Sequence, residues 1–301
     1  MKGRKIMITK KQFDVLVYMA EHGGKATQRT IAKEAGISVG TVNKVLADLN
    51  ESGLICDSGL TDKGMEVLEG FRVKRVVFIA AGFGSRLVPI TLNTPKPLVR
   101  VKGQRIIDSL LDAVVKQGIE EIYIVRGYLG EQFDQLLYKY PMIKFIENPL
   151  YNEANNISSA YVAADLLKNA YVCEADLLLH NPAIITKYQY SSNYLAIPVE
   201  EIDDWCFYEE NGRISRVAVG GRNCHQMVGI SYWTEEDGEQ LKKDIQKVWN
   251  TPGGKERYWD QVPLEHCKDN YNVAIRQCRK EDIVEIDTFN ELKQIDKIYA
   301  M

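Results

Sequence analysis

Apolar residues recur at helical spacing three times in the first seventy positions. Between Thr9 and Glu21, Phe13, Leu16, Val17 and Ala20 form one stripe, and Gly23-Gly24 ends it. Thr27 has the chemistry of an N-cap, followed by Ile31, Ala32 and Ala35, with Gly36 as the stop. Ser38 opens a third helix in which Val42, Val45, Leu46 and Leu49 face inward, closing near Gly53. The link Ala35-Gly36-Ile37-Ser38 has the length of a helix-turn-helix turn. Leu54-Ile55-Cys56 and Asp57-Ser58-Gly59-Leu60 predict a two-stranded wing, and Thr61-Asp62-Lys63-Gly64 opens one more helix.

Beyond position 72 the pattern changes to alternating strands and helices. Val76 to Ala80 is a continuous apolar run suited to a buried parallel strand. Ile107 to Lys116 predicts a helix. Glu121 to Val125 predicts a second strand, Lys144 to Glu147 a third, and Tyr171 to Asp176 a fourth with an acidic end. Such alternation implies a mostly parallel sheet with a site at the strand C-termini. Phe207 to Glu210 and Arg213 to Val217, joined by Asn211-Gly212, predict a hairpin. Two domains are expected, at 1–72 and 73–301.

Composition narrows the class without changing this outline. The 301 residues are 45% hydrophobic and 26% charged, which excludes wholesale disorder, a collagen-like fibre and a simple coiled coil. No apolar run reaches the roughly 18 residues of a membrane span, and the basic start Met1 to Met7 is followed by no long apolar stretch, so neither a membrane partner nor a secretory signal is expected. The six cysteines form no C-x-x-C pair, and the four histidines complete no zinc pattern. Reduced thiols in a cytoplasmic protein follow. Residues 1–72 hold 11 basic and 9 acidic residues (net +2); the rest hold 27 and 32 (net −5). A weakly basic first segment permits nucleic-acid binding without demanding it.

Residues 1–72 resemble the winged helix-turn-helix domains of bacterial repressors over their whole length. The resemblance makes Val39 to Asn50 the recognition helix, with Ser38, Gly40, Thr41, Asn43 and Lys44 able to reach base edges or phosphates of DNA. Lys2, Arg4, Lys5, Lys10 and Lys11 would add phosphate contacts. Winged helices also serve as protein-interaction or dimerisation modules; under that alternative these lysines are a solvated tail and the partner is another protein or, in a homodimer, a second copy.

The first strand of the second segment runs into Ala81-Gly82-Phe83-Gly84-Ser85-Arg86-Leu87, then Pro89 and Thr94-Pro95-Lys96-Pro97-Leu98. No Gly-Lys-Ser/Thr follows, so this is not a P-loop. Leu87 replaces the third glycine of the dinucleotide fingerprint. Glycines after a strand let backbone N–H groups close around phosphates. An arginine just beyond can grip the β and γ phosphates bidentately, and a lysine held between two prolines can place a point charge on the phosphorus under attack. The stretch resembles the signature of nucleotidyltransferases that activate phosphorylated sugars and alcohols. That implies a mixed, mostly parallel, Rossmann-like α/β sheet behind the small winged-helix domain, with nucleotide contacts at Ala80, Ala81, Gly82, Gly84 and Ser85. No hexapeptide repeat follows, so a left-handed β-helix extension is not expected.

Three further features narrow the resemblance. Asn155-Asn156-Ile157-Ser158-Ser159 stands where sugar-nucleotide enzymes carry Gly-Thr-Ala. Asp203-Asp204-Trp205 precedes the hairpin, and Gly229-Ile230-Ser231-Tyr232-Trp233 is followed by Arg257-Tyr258-Trp259-Asp260. Together these resemble the bacterial choline-phosphate cytidylyltransferases over about residues 75–290, and the related aminoethylphosphonate cytidylyltransferases share much of the pattern. The resemblance implies Mg²⁺-dependent, in-line attack of phosphocholine on the α-phosphate of CTP, giving CDP-choline and pyrophosphate. Phosphoethanolamine or 2-aminoethylphosphonate is the alternative acceptor, and a transcription regulator with a nucleotide-sensing second domain is the alternative of another class. The usual Asp-Ala-Asp metal motif stands here as Glu174-Ala175-Asp176, its first carboxylate one methylene longer, and the distal metal aspartate matches Asp287. Asp176 and Asp287 are thus expected to hold Mg²⁺, with Arg86 and Lys96 balancing phosphate charge. Asn155, Asn156 and Ser158 are expected at the nucleotide. Trp205, Tyr258, Trp259 and Asp260 are expected at the acceptor, since a quaternary ammonium needs aromatic faces worth about 0.5–2 kcal/mol each and nearby negative charge. Trp233 is expected to pack.

Overall fold

The computed structural model describes residues 7–23 and 27–300. Lys2, Arg4, Lys5 and Gly24, which carry part of the reading above, lie outside the described residues. The chain divides into two compact units, Met1–Arg72 with Tyr188–Tyr190, and Val73–Lys187 with Ser191–Met301.

The first unit contains α1 (Lys10–His22), α2 (Gln28–Glu34), α3 (Val39–Glu51), the two-stranded wing β1 (Ile55–Cys56) and β2 (Gly59–Leu60), and α4 (Asp62–Glu69). Each helix starts on a hydroxyl cap. Thr9, Thr27, Ser38 and Thr61 accept from the backbone N–H three residues on, and Thr9 completes a capping box with Gln12. Each such cap contributes roughly 1 kcal/mol. Leu16, Val42, Leu49, Leu54 and Leu68 are buried in one core, where the rings of Phe13, Phe71 and Tyr190 meet at 5.1–5.6 Å. A Cβ on Gly64 would stand 2.0 Å from the Leu54 carbonyl oxygen, so α4 packs on the wing only through a glycine.

The second unit runs β3 (Arg75–Ile79), β4 (Arg100–Val101), β5 (Gln104–Arg105), α5 (Ile106–Lys116), β6 (Glu121–Arg126), β7 (Ile143–Glu147), α6 (Ile157–Val162), β8 (Ala170–Glu174), β9 (Leu177–Leu179), β10 (Asn193–Glu210), β11 (Arg213–Trp233), α7 (Glu235–Trp249), β12 (Ala274–Gln277), β13 (Ile283–Glu285) and α8 (Phe289–Ile295). Seven strands form one mixed sheet in the order β10-β12-β11-β8-β3-β6-β7. Strands β8, β3, β6 and β7 are parallel to one another, and β11 runs antiparallel to β8. Val76 and Phe78 face a core with Ile107, Leu110 and Leu111 of α5, while Val77 faces one with Ile157 of α6 and Leu241 and Ile245 of α7. Burial on both faces is what the unbroken apolar run of β3 requires. From β3 the chain moves to β6 and β7 on one side and later to β8 on the other. The crevice at the C-termini of β3 and β8 is therefore the topological switch point, where such sheets bind ligands. No helix among the described residues is long and apolar enough to cross a membrane.

The hairpin is larger than its sequence predicts. Its turn residues Asn211 (φ 53°) and Gly212 (φ 76°) are left-handed, as a two-residue turn needs. Its strands, however, extend to 18 and 21 residues, and Asp203-Asp204-Trp205 lies inside β10 rather than before the hairpin. Register shifts between Ile202 and Trp205, and on through Glu209, break the alternation on which a strand is read. The antiparallel pair β9–β13 also went unpredicted. It sets Glu285 opposite Leu177, directly after the acidic end of β8.

Candidate active site

A cleft of about 290 Å³ opens over the ends of β3 and β8. The glycine loop after β3 forms one wall. Gly84 is left-handed (φ 68°), and a Cβ there would lie 3.1 Å from Lys96 Cβ and 3.2 Å from Thr91 Cγ2. The loop thus closes over the lysine stem because position 84 has no side chain. Thr91 Oγ1 fastens it by donating to the Gly84 carbonyl at 2.9 Å. Lys96 starts a single 3₁₀ turn between Pro95 and Pro97. Its side chain is 9% exposed, which directs the ammonium into the cleft.

Charge is concentrated at that point. Lys96 Nζ donates to Asp176 Oδ2 at 2.5 Å and to Asp287 Oδ1 at 2.9 Å. Arg86, 64% exposed, grips both oxygens of Asp287 at 2.7 and 2.9 Å. Burial alone would lower the Lys96 pKa; Asp176 and Asp287 outweigh it and hold the ammonium above its ordinary value. Burial likewise opposes ionisation of Asp287, but Lys96 and Arg86 hold its carboxyl below the ordinary range.

Carboxylate oxygens of Glu174, Asp176 and Glu285 lie within 4.8 Å of one another. Burial, reinforced by Asp176 and Asp260, pushes Glu174 up to about 8; burial with Asp176 and Glu174 pushes Glu285 up to about 10. Asp176 Oδ1 is buried without a hydrogen-bond partner. Converging carboxylates with one orphaned oxygen fit a hard divalent cation, whose ligands are oxygens. Glu285 is the cluster member that sequence reasoning missed. Its signal was strand periodicity: Glu285 and Asp287 are two apart, like Glu174 and Asp176.

The other expected site residues divide. Ala80, Gly82, Gly84, Ser85, Asn155, Asn156 and Tyr258 line the cleft. Ala80 N–H is already used by Val125 O at 3.0 Å, and the Ala81 carbonyl accepts from Tyr128 N at 3.0 Å. Asn155 and Asn156 also tie the 255–259 segment in place: Asn155 Nδ2 donates to Glu256 O (3.1 Å), and Asn156 Oδ1 accepts from Trp259 N (2.8 Å). Ser158 requires a correction. It is buried, donates to Asn155 O at 2.8 Å and accepts from Asn148 Nδ2 at 2.9 Å, so it holds the turn beneath the site instead of meeting a nucleotide.

Trp259 requires a second correction. Its ring is 1% exposed and packs edge-on against the buried Trp233 at 6.1 Å, in the core behind the sheet. It therefore presents no face to an acceptor. Tyr258, next to it, is 44% exposed and meets the half-buried Trp205 edge-on at 6.0 Å. Asp260 turns inward, its Oδ1 buried without a partner, and burial pushes its carboxyl up to about 6. Gly229 of β11 makes room for Glu174 of β8: a Cβ there would stand 2.3 Å from Glu174 Oε2.

Residues 75–192 match the Nucleotidyl transferase family. A 2-aminoethylphosphonate cytidylyltransferase of Lancefieldella rimae is 35% identical over 228 residues, 74% of this chain and 92% of that protein. The chain belongs to the nucleotidyltransferase family. This nucleotidyltransferase is also 31% identical to a choline-phosphate cytidylyltransferase of Haemophilus influenzae over 222 residues, 73% of this chain and 94% of the relative. The solved CTP:phosphocholine cytidylyltransferase of Streptococcus pneumoniae shares its fold with a TM-score of 0.69 at 30% identity, covering 75% of this chain and 99% of the other. Ahead of the nucleotidyltransferase unit, residues 8–60 match the MarR family.

Proposed function

We propose that the protein transfers a cytidylyl group from CTP to a small phosphonate or phosphate ester bearing a primary ammonium, 2-aminoethylphosphonate or phosphoethanolamine, and releases pyrophosphate. The observation that carries the choice of acceptor is the burial of Trp259. An aromatic cage for phosphocholine needs several faces, and of the three aromatic residues expected at the acceptor Trp205 and Tyr258 keep solvent exposure while Trp259 does not. An acidic partner, by contrast, is at hand: Asp260 keeps an unpartnered buried oxygen. A primary ammonium donates hydrogen bonds that such carboxylates accept strongly, whereas a trimethylammonium has no N–H to give.

The acceptor's phosphonate or phosphate oxygen is already a nucleophile, so no strong base is needed. It forms a bond to the α-phosphorus of CTP while the α–β bridging oxygen leaves with pyrophosphate. The loop from Gly82 to Ser85 offers N–H groups to the triphosphate, and Arg86 reaches the β and γ phosphates from the solvent side. Lys96, aimed into the cleft, balances charge at the α-phosphate as it develops. Nucleotidyltransferases generally use Mg²⁺; held by Asp176 and Asp287, it would neutralise phosphate charge and favour in-line geometry.

Pyrophosphate release over four nucleoside triphosphates and a panel of acceptors tests this reading. CTP should be preferred, with kcat/KM for 2-aminoethylphosphonate or phosphoethanolamine at least about tenfold above phosphocholine, a difference of roughly 1.4 kcal/mol in the transition state. A preference for phosphocholine overturns the acceptor class and leaves the transfer reaction standing. A preference for a sugar 1-phosphate overturns both.

For the first unit we infer DNA binding through α3, on whose leading edge Ser38, Gly40, Asn43 and Lys44 are exposed. The MarR-family match supports this reading over an interaction module.

A further inference from the structure

We propose that Lys96 is the resident cation of the free enzyme at the Asp176–Asp287 pair, and that it suppresses metal binding until a nucleotide triphosphate draws it away. The inference rests on the reading of Asp176 and Asp287 as metal ligands. Both aspartates are engaged by cationic side chains of this chain. Lys96 Nζ occupies Asp176 Oδ2 and Asp287 Oδ1. Arg86 occupies both Asp287 oxygens, sharing Oδ1 with the lysine. Of the two aspartates, only Asp176 Oδ1 is left without a hydrogen-bond partner. A divalent ion bound through the same oxygens would lie against an ammonium in a poorly solvated cleft, where repulsion is little screened.

The lysine side chain is 9% exposed and enters the cleft rather than the surrounding solvent. Its stem runs beneath Gly84, where a Cβ would stand 3.1 Å from Lys96 Cβ and 3.7 Å from Cδ. The ammonium at its end lies in the cleft that the glycine loop borders. Phosphate oxygens bound by that loop are the acceptors within its reach. A triphosphate therefore offers Lys96 new partners at the moment it delivers its own metal, and ammonium and metal exchange places on the carboxylates. Metal and nucleotide then bind with positive coupling, each strengthening the other by the same factor.

The test is Mn²⁺ binding to the full-length protein, followed by the electron paramagnetic resonance signal of free Mn²⁺. Without nucleotide, Lys96→Gln should bind Mn²⁺ at least tenfold more tightly than wild type, and Lys96→Arg, which keeps the charge, should stay near wild type. With a non-hydrolysable CTP analogue, wild-type affinity should rise at least tenfold beyond the analogue's own chelation. Equal affinity of Lys96→Gln and wild type overturns the exchange. If Lys96→Gln fails to melt cooperatively, the wild type decides alone: Mn²⁺ bound equally well with and without the analogue overturns it. Asp176→Asn in the Lys96→Gln background separates the two claims. Loss of Mn²⁺ there keeps the ligand assignment whatever the exchange result, and undiminished binding overturns the assignment and the exchange with it.

Discussion

Tyr258 and Trp259 are neighbours in sequence with opposite environments. Trp259→Ala removes a fully buried indole packed on Trp233 and should cost about 3–5 kcal/mol of stability. Tyr258→Ala removes a ring that is half in solvent and borders the cleft. It should leave the denaturation midpoint nearly unchanged and raise KM for the ammonium acceptor severalfold more than KM for CTP. Denaturant melts and steady-state kinetics on the two variants check both halves, and an acceptor-specific KM effect in a stably folded Trp259→Ala would return that indole to the site. The pair also shows what the sequence could not say. Both residues lie in an irregular segment, where no period of 2 or 3.6 tells inward from outward. Lys96, Asp176 and Asp287 stand in a signature and two short acidic motifs, and the fold brings these three side chains together. Glu285 was hidden because its contribution needs β13 to pair with β9, a contact between residues more than a hundred positions apart. Ser158 failed for the opposite reason: its motif marks the turn correctly, but hydrogen bonds to Asn148 and Asn155 consume its hydroxyl.

Local chemistry at chain ends of elements was the most readable level. Among the described residues, the four helices of the first unit each begin one residue after a hydroxyl, and the sequence marks three of these, Thr27, Ser38 and Thr61, as a cap or helix opener, because a cap is decided within four residues. The long β10–β11 hairpin was legible at its turn and illegible along its strands, where bulges shift the register. One consequence of that pairing concerns the departure from Asp-Ala-Asp. Ile230 of β11 pairs with Cys173 of β8, which brings Gly229 against Glu174. The longer carboxylate fits because β11 has no side chain at that point. Gly229→Ala should therefore displace the Glu174 carboxylate and lower kcat/KM for the acceptor by at least tenfold. Shortening the acid in Glu174→Asp/Gly229→Ala should restore part of the loss. A double-mutant cycle measures this coupling directly, since contacting residues fail to add. Strict additivity of the two substitutions would show that Gly229 does not set the place of Glu174.

The chain joins a nucleotidyltransferase unit to a MarR-type unit, and the DNA binding proposed for the latter is testable apart from catalysis by substitution. Excision of residues 1–72 is a poor instrument for this, because Tyr188 and Tyr190 belong to the first unit's core and would lose their partners Glu69, Phe13 and Phe71. Exposed residues of α3 are the better choice, since their side chains support no core. Lys44→Ala should weaken DNA binding about equally across sequences and reduce the slope of log affinity against log salt by about one, the signature of a lost phosphate contact. Asn43→Ala should act differently, costing about 1–3 kcal/mol on the preferred sequence and little on others, if its amide reads an adenine edge in the major groove. Both variants should keep wild-type pyrophosphate release, because neither residue belongs to the cleft over β3 and β8. Fluorescence anisotropy on fragments recovered from a genomic selection, repeated over a salt series, provides the measurement. Failure of the wild type to bind any fragment at low salt would assign the unit to protein contact, and a slope unchanged by Lys44→Ala would place the phosphate contacts away from the start of α3.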